Sequence, residues 1–298
     1  MGRYRLDRCV GAGAFATVWQ GYDPELDAPV AVKVLADNWV RNADVRERFL
    51  SEARLLHRIE SRRVVRVHDV GVADERPYFV MDYLAGGTLA DLLGGVEPDE
   101  AVRLAAEAAE AVHVLHEAGV LHRDIKPSNL LLDRTSEPVR VLVADLGSAK
   151  KLADASGYTV TTGTPAYMAP EQADGTGPFD RRADVYSLAV LTWELLTGNR
   201  PLLAVPRSGG RRSGSRPPRG ELVTGSVEVS PRLVEVLAAA LDPDPDGRPR
   251  DAHAFARALV AASGSDDAGR SASWSTGPVW AVALAVFVLT ALLGWLLL

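Results

Sequence analysis

The segment HRDIKPSN, His122 to Asn129, sets an aspartate, a lysine and an asparagine close together. Asp124 is suited to orient an attacking hydroxyl and take its proton. Lys126 offers a compact point charge that can neutralise a phosphoryl group in transfer, and Asn129 offers an amide oxygen to a hard cation. Lysine is scarce in this chain, occurring only at Lys33, Lys126, Lys150 and Lys151, so its placement beside an aspartate carries weight. A second oxygen ligand, Asp145, ends the strand-like run VLVAD.

Two further stretches supply the rest of such a site. In VGAGAFATV, Val10 to Val18, glycines let backbone amides approach phosphate oxygens closely. The loop runs on into TVWQGY, which reads as another strand, and Ala16 stands where a dinucleotide fingerprint would need glycine. In PVAVKVL the alternation of valine and alanine turns one lysine, Lys33, inward, which is costly without a partner. Glu52 is available on the helix that follows, beside the apolar stripe Phe49, Leu50, Ala53, Leu56 and Ile59. Together these residues describe a site for a metal-bound polyphosphate.

The elements that must position them fall into zones. Residues up to about 82 alternate β-rich runs with one charged helical stretch, VRERFLSEARLLHRI. From there to about residue 260 helices dominate, among them Asp99 to Ala118, which starts after Pro98 and stops at Gly119. Residues 261–277 read as a polar linker. Residues 278–298, with the uncharged run VWAVALAVFVLTALLGWLLL from Val279, are long enough to span the hydrocarbon of a bilayer, with Trp280 and Trp295 near its ends. No N-terminal secretory signal is expected. The segment Pro206 to Gly220 holds five arginines and no acid; it reads as a solvated loop or as a docking surface for acidic protein segments or lipid head groups.

Composition narrows the class. The 298 residues carry 33 Lys+Arg against 39 Asp+Glu, a net charge of -6, which gives no basic surface for nucleic acid. The single cysteine, Cys9, excludes an internal disulfide and is expected to be a packed or half-buried strand residue.

Taken in order, GAGAFATV, VAVK, Glu52, HRDIKPSN, DLG and APE resemble the eukaryotic-type (Hanks-type) protein kinase family, and the pattern resembles its bacterial membrane-anchored members. The resemblance covers residues 4–260 and implies an α+β, two-lobed fold, with a β-rich lobe over 4–82 and a helical lobe over 83–260, followed by a single transmembrane helix. It implies ATP and Mg²⁺, with Mn²⁺ as an alternative cation. Asp124 would be the catalytic base, Lys33 the phosphate contact paired with Glu52, and Asn129 and Asp145 the metal ligands. Val10, Gly11 and Gly13 would belong to the cofactor-binding loop, the glycines over the phosphates. Val18, Ala31 and Leu131 would sandwich adenine, and Met81 to Leu84, with Asp82, would form the hinge. Glu171 would pair with Arg248, and Asp184 would brace the catalytic loop. Ala16 for the last loop glycine and Leu146 for the aromatic of DFG are departures that remove no charge or ligand.

Lys126 and GTPAYMAPE match the Ser/Thr branch, with Thr164 near the substrate hydroxyl, which implies protein substrates carrying Ser or Thr. Arg123 would receive a phosphate from SGYTVTTGT, placed by autophosphorylation on Thr159, Thr161 or Thr162. The expectation is a kinase domain on the cytoplasmic face of the cell membrane, held by a C-terminal single-pass anchor and able to form homodimers. The rival is a nucleotide-binding pseudokinase scaffold at the membrane.

Overall fold

β-Branched residues recurring at alternate positions make the first part of the chain a sheet. This computed structural model describes residues 1–146, 165–174, 179–201 and 229–264. Strands β1 (Arg5–Ala12), β2 (Ala16–Asp23), β3 (Ala28–Leu35), β4 (Val67–Ala73) and β5 (Arg76–Asp82) pair antiparallel in the order β1-β2-β3-β5-β4. β3 lies at the centre, which explains why every side chain from Val30 to Leu35 is buried. Its two faces do different work, because successive side chains point to opposite sides. Val30, Val32 and Val34 pack with Tyr4, Tyr78 and Val80, whereas Ala31 and Leu35 join the main core with Phe49 and Leu56. Lys33 shares the face of Ala31 and Leu35.

That second face is covered by α1 (Ala43–Arg58), whose first turn is capped by the Asn42 side chain accepting from the Val45 N–H at 3.1 Å. Phe49, Glu52, Ala53 and Leu56 are buried along its inner stripe, with Leu50 and Ile59 half-buried at the margins.

The second lobe is helical. α2 (Pro98–Glu117) begins with proline in its first turn and stops before Gly119, whose φ of 73° only glycine adopts without strain. A hairpin of β6 (Leu130–Asp133) and β7 (Arg140–Val143) follows, then the short α3 (Pro170–Asp174), α4 (Arg182–Thr197), α5 (Pro231–Ala240) and α6 (Ala252–Ser263). Every residue of α4 from Ala183 to Leu196 is buried. A helix buried all round belongs at the centre of its lobe, and the two acids it carries must be partnered: Glu194 by the Tyr167 hydroxyl and Arg200, and Asp184 by the loop described below. The lobes are joined between Arg63 and β7, where the Val65 N–H donates to Val143 O at 2.9 Å and the Val143 N–H to Arg63 O at 3.0 Å. The Arg63 guanidinium also forks onto Glu107 of α2 at 2.7 and 3.2 Å.

Cys9 differs from its expected packing: it is exposed, because β1 is an edge strand whose residues face outward on most positions. α6 runs to Ser263, so residues 261–263 continue a helix where a polar linker was expected; Ala262 is buried in the core and holds that turn in place. Among the described residues no helix is long and apolar enough to cross a membrane. The 278–298 span, the arginine-rich segment 206–220 and Thr159, Thr161, Thr162 and Thr164 lie outside the described residues.

Candidate active site

Lys33 reaches from β3 toward two carboxylates. Its Nζ lies 2.8 Å from Glu52 Oε1 and 3.1 Å from Asp145 Oδ2. The Lys33 and Glu52 side chains are buried, while Asp145 is 36% exposed and so remains reachable from outside. Burial by itself would lower the Lys33 pKa, but Asp145 and Glu52 more than offset it and hold the ammonium protonated. The Glu52 carboxyl is pushed up by burial, against the pull of Lys33. The Lys33 ammonium also stands over the Phe79 ring, 5.4 Å from its centroid.

The glycine-rich turn lies between β1 and β2, with the Gly13 N–H donating to Ala16 O at 2.9 Å. Neither Gly11 nor Gly13 is demanded by its own surroundings: a Cβ would meet only Val18 Cβ at 3.6 Å and Ala16 O at 3.5 Å. The missing side chains therefore leave room above the turn rather than relieve a clash within it. Two residues that the sequence reading did not single out dock its tip. Phe15 stacks on Trp39 at 5.1 Å, and Trp39 Nε1 donates to Ala14 O at 2.9 Å.

Ala31 pairs with Met81 across β3 and β5, and both are buried; Val18 pairs with Lys33. Val18, Leu84 and Leu131 are half-buried against the same core, and Val10 is exposed at the end of β1. The Asp82 carboxylate turns away from this group, accepting from the Arg66 N–H at 3.2 Å and facing His68 Nε2 at 2.7 Å. Any part Asp82 takes in a nucleotide contact falls to its backbone.

The loop after α2 brings Asp124, Lys126 and Asn129 together. Lys126 Nζ is 3.0 Å from Asp124 Oδ2, and Asn129 Nδ2 donates to Asp124 O at 2.8 Å. That donation fixes the amide plane and turns its oxygen the other way. With the Asp145 carboxylate, it gives two hard oxygen donors, a set that fits Mg²⁺, which takes one or two protein oxygens and the rest from phosphate and water.

Behind the loop, Asp184 Oδ2 accepts the His122 N–H at 2.9 Å and Oδ1 the Arg123 N–H at 2.7 Å. His116 Nε2 completes the set, 2.9 Å from Asp184 Oδ2. Burial would raise the Asp184 pKa, but His116, His122 and the Arg123 N–H outweigh it and hold the carboxylate below its usual range. His122 is fully buried, and burial lowers its pKa below the ordinary histidine value. Its Nδ1 accepts the Asp124 N–H at 3.3 Å. The role of His116 was not legible in the sequence, since its partner lies 68 positions away. Arg123 stands over Phe179 at 5.2 Å. Glu171 and Arg248 meet at 2.7 Å. A separate cavity, lined by Leu92, Val96, Leu104, Leu132, Arg134 and Val139, contains none of these groups.

A β lobe and a helical lobe thus present a glycine turn, a buried lysine and a carboxylate-bearing loop, the arrangement of a phosphotransferase. The chain belongs to the protein kinase domain family, which it matches over residues 4–259. It is 35% identical over 268 residues to the serine/threonine-protein kinase PknL of Mycobacterium tuberculosis, covering 87% of this chain and 65% of that protein. To PknJ of the same species it is 37% identical over 270 residues, covering 87% and 45%. The serine/threonine-protein kinase pkn2 of Myxococcus xanthus is 33% identical over 270 residues, covering 88% and 32%. The chain therefore spans between about a third and two-thirds of the length of these relatives. The crystal structure of the Mycobacterium tuberculosis PknI kinase domain matches with a TM-score of 0.66 at 29% identity, covering 87% of this chain and 96% of that one. Membership of the family implies ATP, a divalent cation and protein substrates as a class.

Proposed function

We propose that this chain is an ATP-dependent serine/threonine protein kinase tethered to the membrane by residues 278–298. The observation that carries the reading is the Lys33 ammonium held between Glu52 at 2.8 Å and Asp145 at 3.1 Å, on the face of β3 that also carries Ala31.

In this reading Lys33 holds the α and β phosphates of ATP, oriented by Glu52, and the glycine turn covers them with backbone N–H groups. Ala31, Val18 and Leu131 exclude water around the base. Mg²⁺, held by Asn129 and Asp145, neutralises phosphate charge when bound. The Asp124 carboxylate orients the substrate hydroxyl and receives its proton as the new P–O bond forms and the bond to the leaving ADP oxygen breaks. Lys126, 3.0 Å from Asp124, offsets charge on the transferring group. Autophosphorylation falls on at least one of Thr159, Thr161 and Thr162, with Arg123 as receiver of the phosphate, and Thr164 is assigned to the substrate-hydroxyl side of the reaction. A homodimer formed through the apolar spans belongs to the same reading.

The rival reading, a nucleotide-binding scaffold, is disfavoured because lysine, base and metal aspartate are all present. The test uses the full chain in detergent with Mg²⁺, labelled ATP and a generic protein substrate, beside Asp124→Asn and Lys33→Met. Label on serine and threonine from wild type alone supports the kinase, and mass spectrometry of the 159–164 peptide assigns the switch. Wild type that binds ATP but transfers no more label than Asp124→Asn returns the scaffold. Recovery of the chain in the membrane fraction, lost on deleting residues 278–298, tests the tether.

A further inference from the structure

The strand of backbone that carries Asp124 is gripped by a side chain with no role assigned above. Gln172, on α3 directly after Glu171, donates from Nε2 to the backbone oxygen of Arg123 at 2.7 Å. Arg123 has φ 66°, in the left-handed region that a residue with a Cβ enters only under strain. Such a conformation persists only where its surroundings impose it.

Two peptide planes flank Arg123, and fixing its backbone means fixing both. The preceding plane is held by its N–H, which donates to Asp184 Oδ1 at 2.7 Å. The following plane, which leads into Asp124, has two restraints. Its N–H reaches His122 Nδ1 at 3.3 Å, a long bond, and its C=O accepts from Gln172 at 2.7 Å. Gln172 thus supplies the shorter restraint on the plane that aims the Asp124 side chain.

Two observations speak for a dedicated contact. Among the described residues Gln172 Oε1 is buried without a hydrogen-bond partner, and the amide orientation is set by Nε2 facing a carbonyl, where its oxygen would repel. The helix it stands on is anchored by its neighbour, since Glu171 is clamped by the buried Arg248 at 2.7 and 2.9 Å.

We propose that Gln172 is a positioning residue for the phosphoryl transfer argued above, on which this inference rests: it locks the Arg123–Asp124 peptide and couples the aim of Asp124 to the placement of α3. A change in the segment just before α3, which holds the candidate phosphorylation threonines, is then transmitted to the base through one hydrogen bond.

The experiment compares the full-length wild type with Gln172→Met and Gln172→Glu, two near-isosteres. The first cannot donate and the second presents an acceptor to an acceptor. Lys33 and the adenine site are untouched, so KM for ATP is expected to stay within about twofold while kcat per ATP-binding site falls by roughly ten- to hundredfold, with Glu at least as damaging as Met. Hydrogen exchange of peptides covering residues 122–126 is expected to quicken in both variants, a readout independent of turnover. The role is overturned if kcat per binding site stays within about twofold of wild type, or if the loss is fully accounted for by unfolded protein. Wild type no more active than Asp124→Asn would instead overturn the kinase reading itself, and the positioning role with it.

Discussion

Glu171 and Arg248 meet as a two-point ion pair, Nη1 to Oε1 at 2.7 Å and Nη2 to Oε2 at 2.9 Å, across 77 positions of sequence. The guanidinium is buried, and its remaining N–H groups donate to the backbone oxygens of Asp242 at 2.6 Å, Arg182 at 3.1 Å and Pro243 at 3.1 Å. All five of its N–H donors are therefore used, tying α3, the start of α4 and the turn before α6 into one joint. Arg248→Ala should cost about 3–5 kcal/mol, because it leaves a carboxylate and three carbonyls without their partner. Arg248→Lys keeps the charge but not the fork and should recover little of that loss. Thermal unfolding checks both: the expected fall in Tm is on the order of 10 °C. A lysine variant as stable as wild type would show that the fork is dispensable.

The Lys33–Glu52 pair separates stability from activity. Lys33→Met strands the Glu52 carboxylate, whose side chain is only 1% exposed, so both stability and phosphoryl transfer should fall, the latter by about 10²-fold or more. Adding Glu52→Leu replaces the stranded carboxylate by an apolar group among Phe49, Ala53 and Leu56. The double variant should regain most of the lost Tm and none of the lost activity. Calorimetry and a kinase assay on the same three preparations decide the matter. Restored transfer in the double variant would mean that Lys33 does not contact phosphate.

Local pattern made much of this site legible. The alternation in PVAVKVL assigned Lys33 to the buried face of a strand, and the stripe on α1 placed Glu52 opposite it; the two side chains meet at 2.8 Å. Proline and glycine bounded α2 to within a residue at each end. Contacts between distant segments were not legible in residue types. His116 beside Asp184, Gln172 beneath Arg123 and Trp39 under the glycine turn each depend on how whole elements pack, and no spacing in the chain encodes them. Cys9 was misjudged because burial habit is an average over residue type, whereas an edge strand decides exposure position by position.

The β6–β7 hairpin gives a prediction in pH. The Asp133 carboxylate accepts from the Thr135 hydroxyl and N–H, from Ser136 Oγ at 2.8 Å and from Arg140 Nη2 at 2.8 Å. These bonds, the Thr135 hydroxyl foremost, outweigh desolvation and hold its pKa well below the usual carboxylate range. A pKa lowered on folding means that the unfolded chain binds the proton first as pH falls. Its contribution to stability is then complete above the unfolded value of about 3.9 and is lost progressively below it, toward the folded value. Asp133→Asn, which cannot ionise, should be less stable than wild type by a constant margin from pH 7 down to about pH 5. Below about pH 4 the wild-type curve should fall toward that of the variant, because protonation makes the two side chains alike. Buried Asp184 adds to the acid slope of both proteins equally, so the difference between them isolates Asp133. A gap in Tm that stays constant down to about pH 2.5 would mean that the hairpin acts through the shape of the side chain and not through its charge.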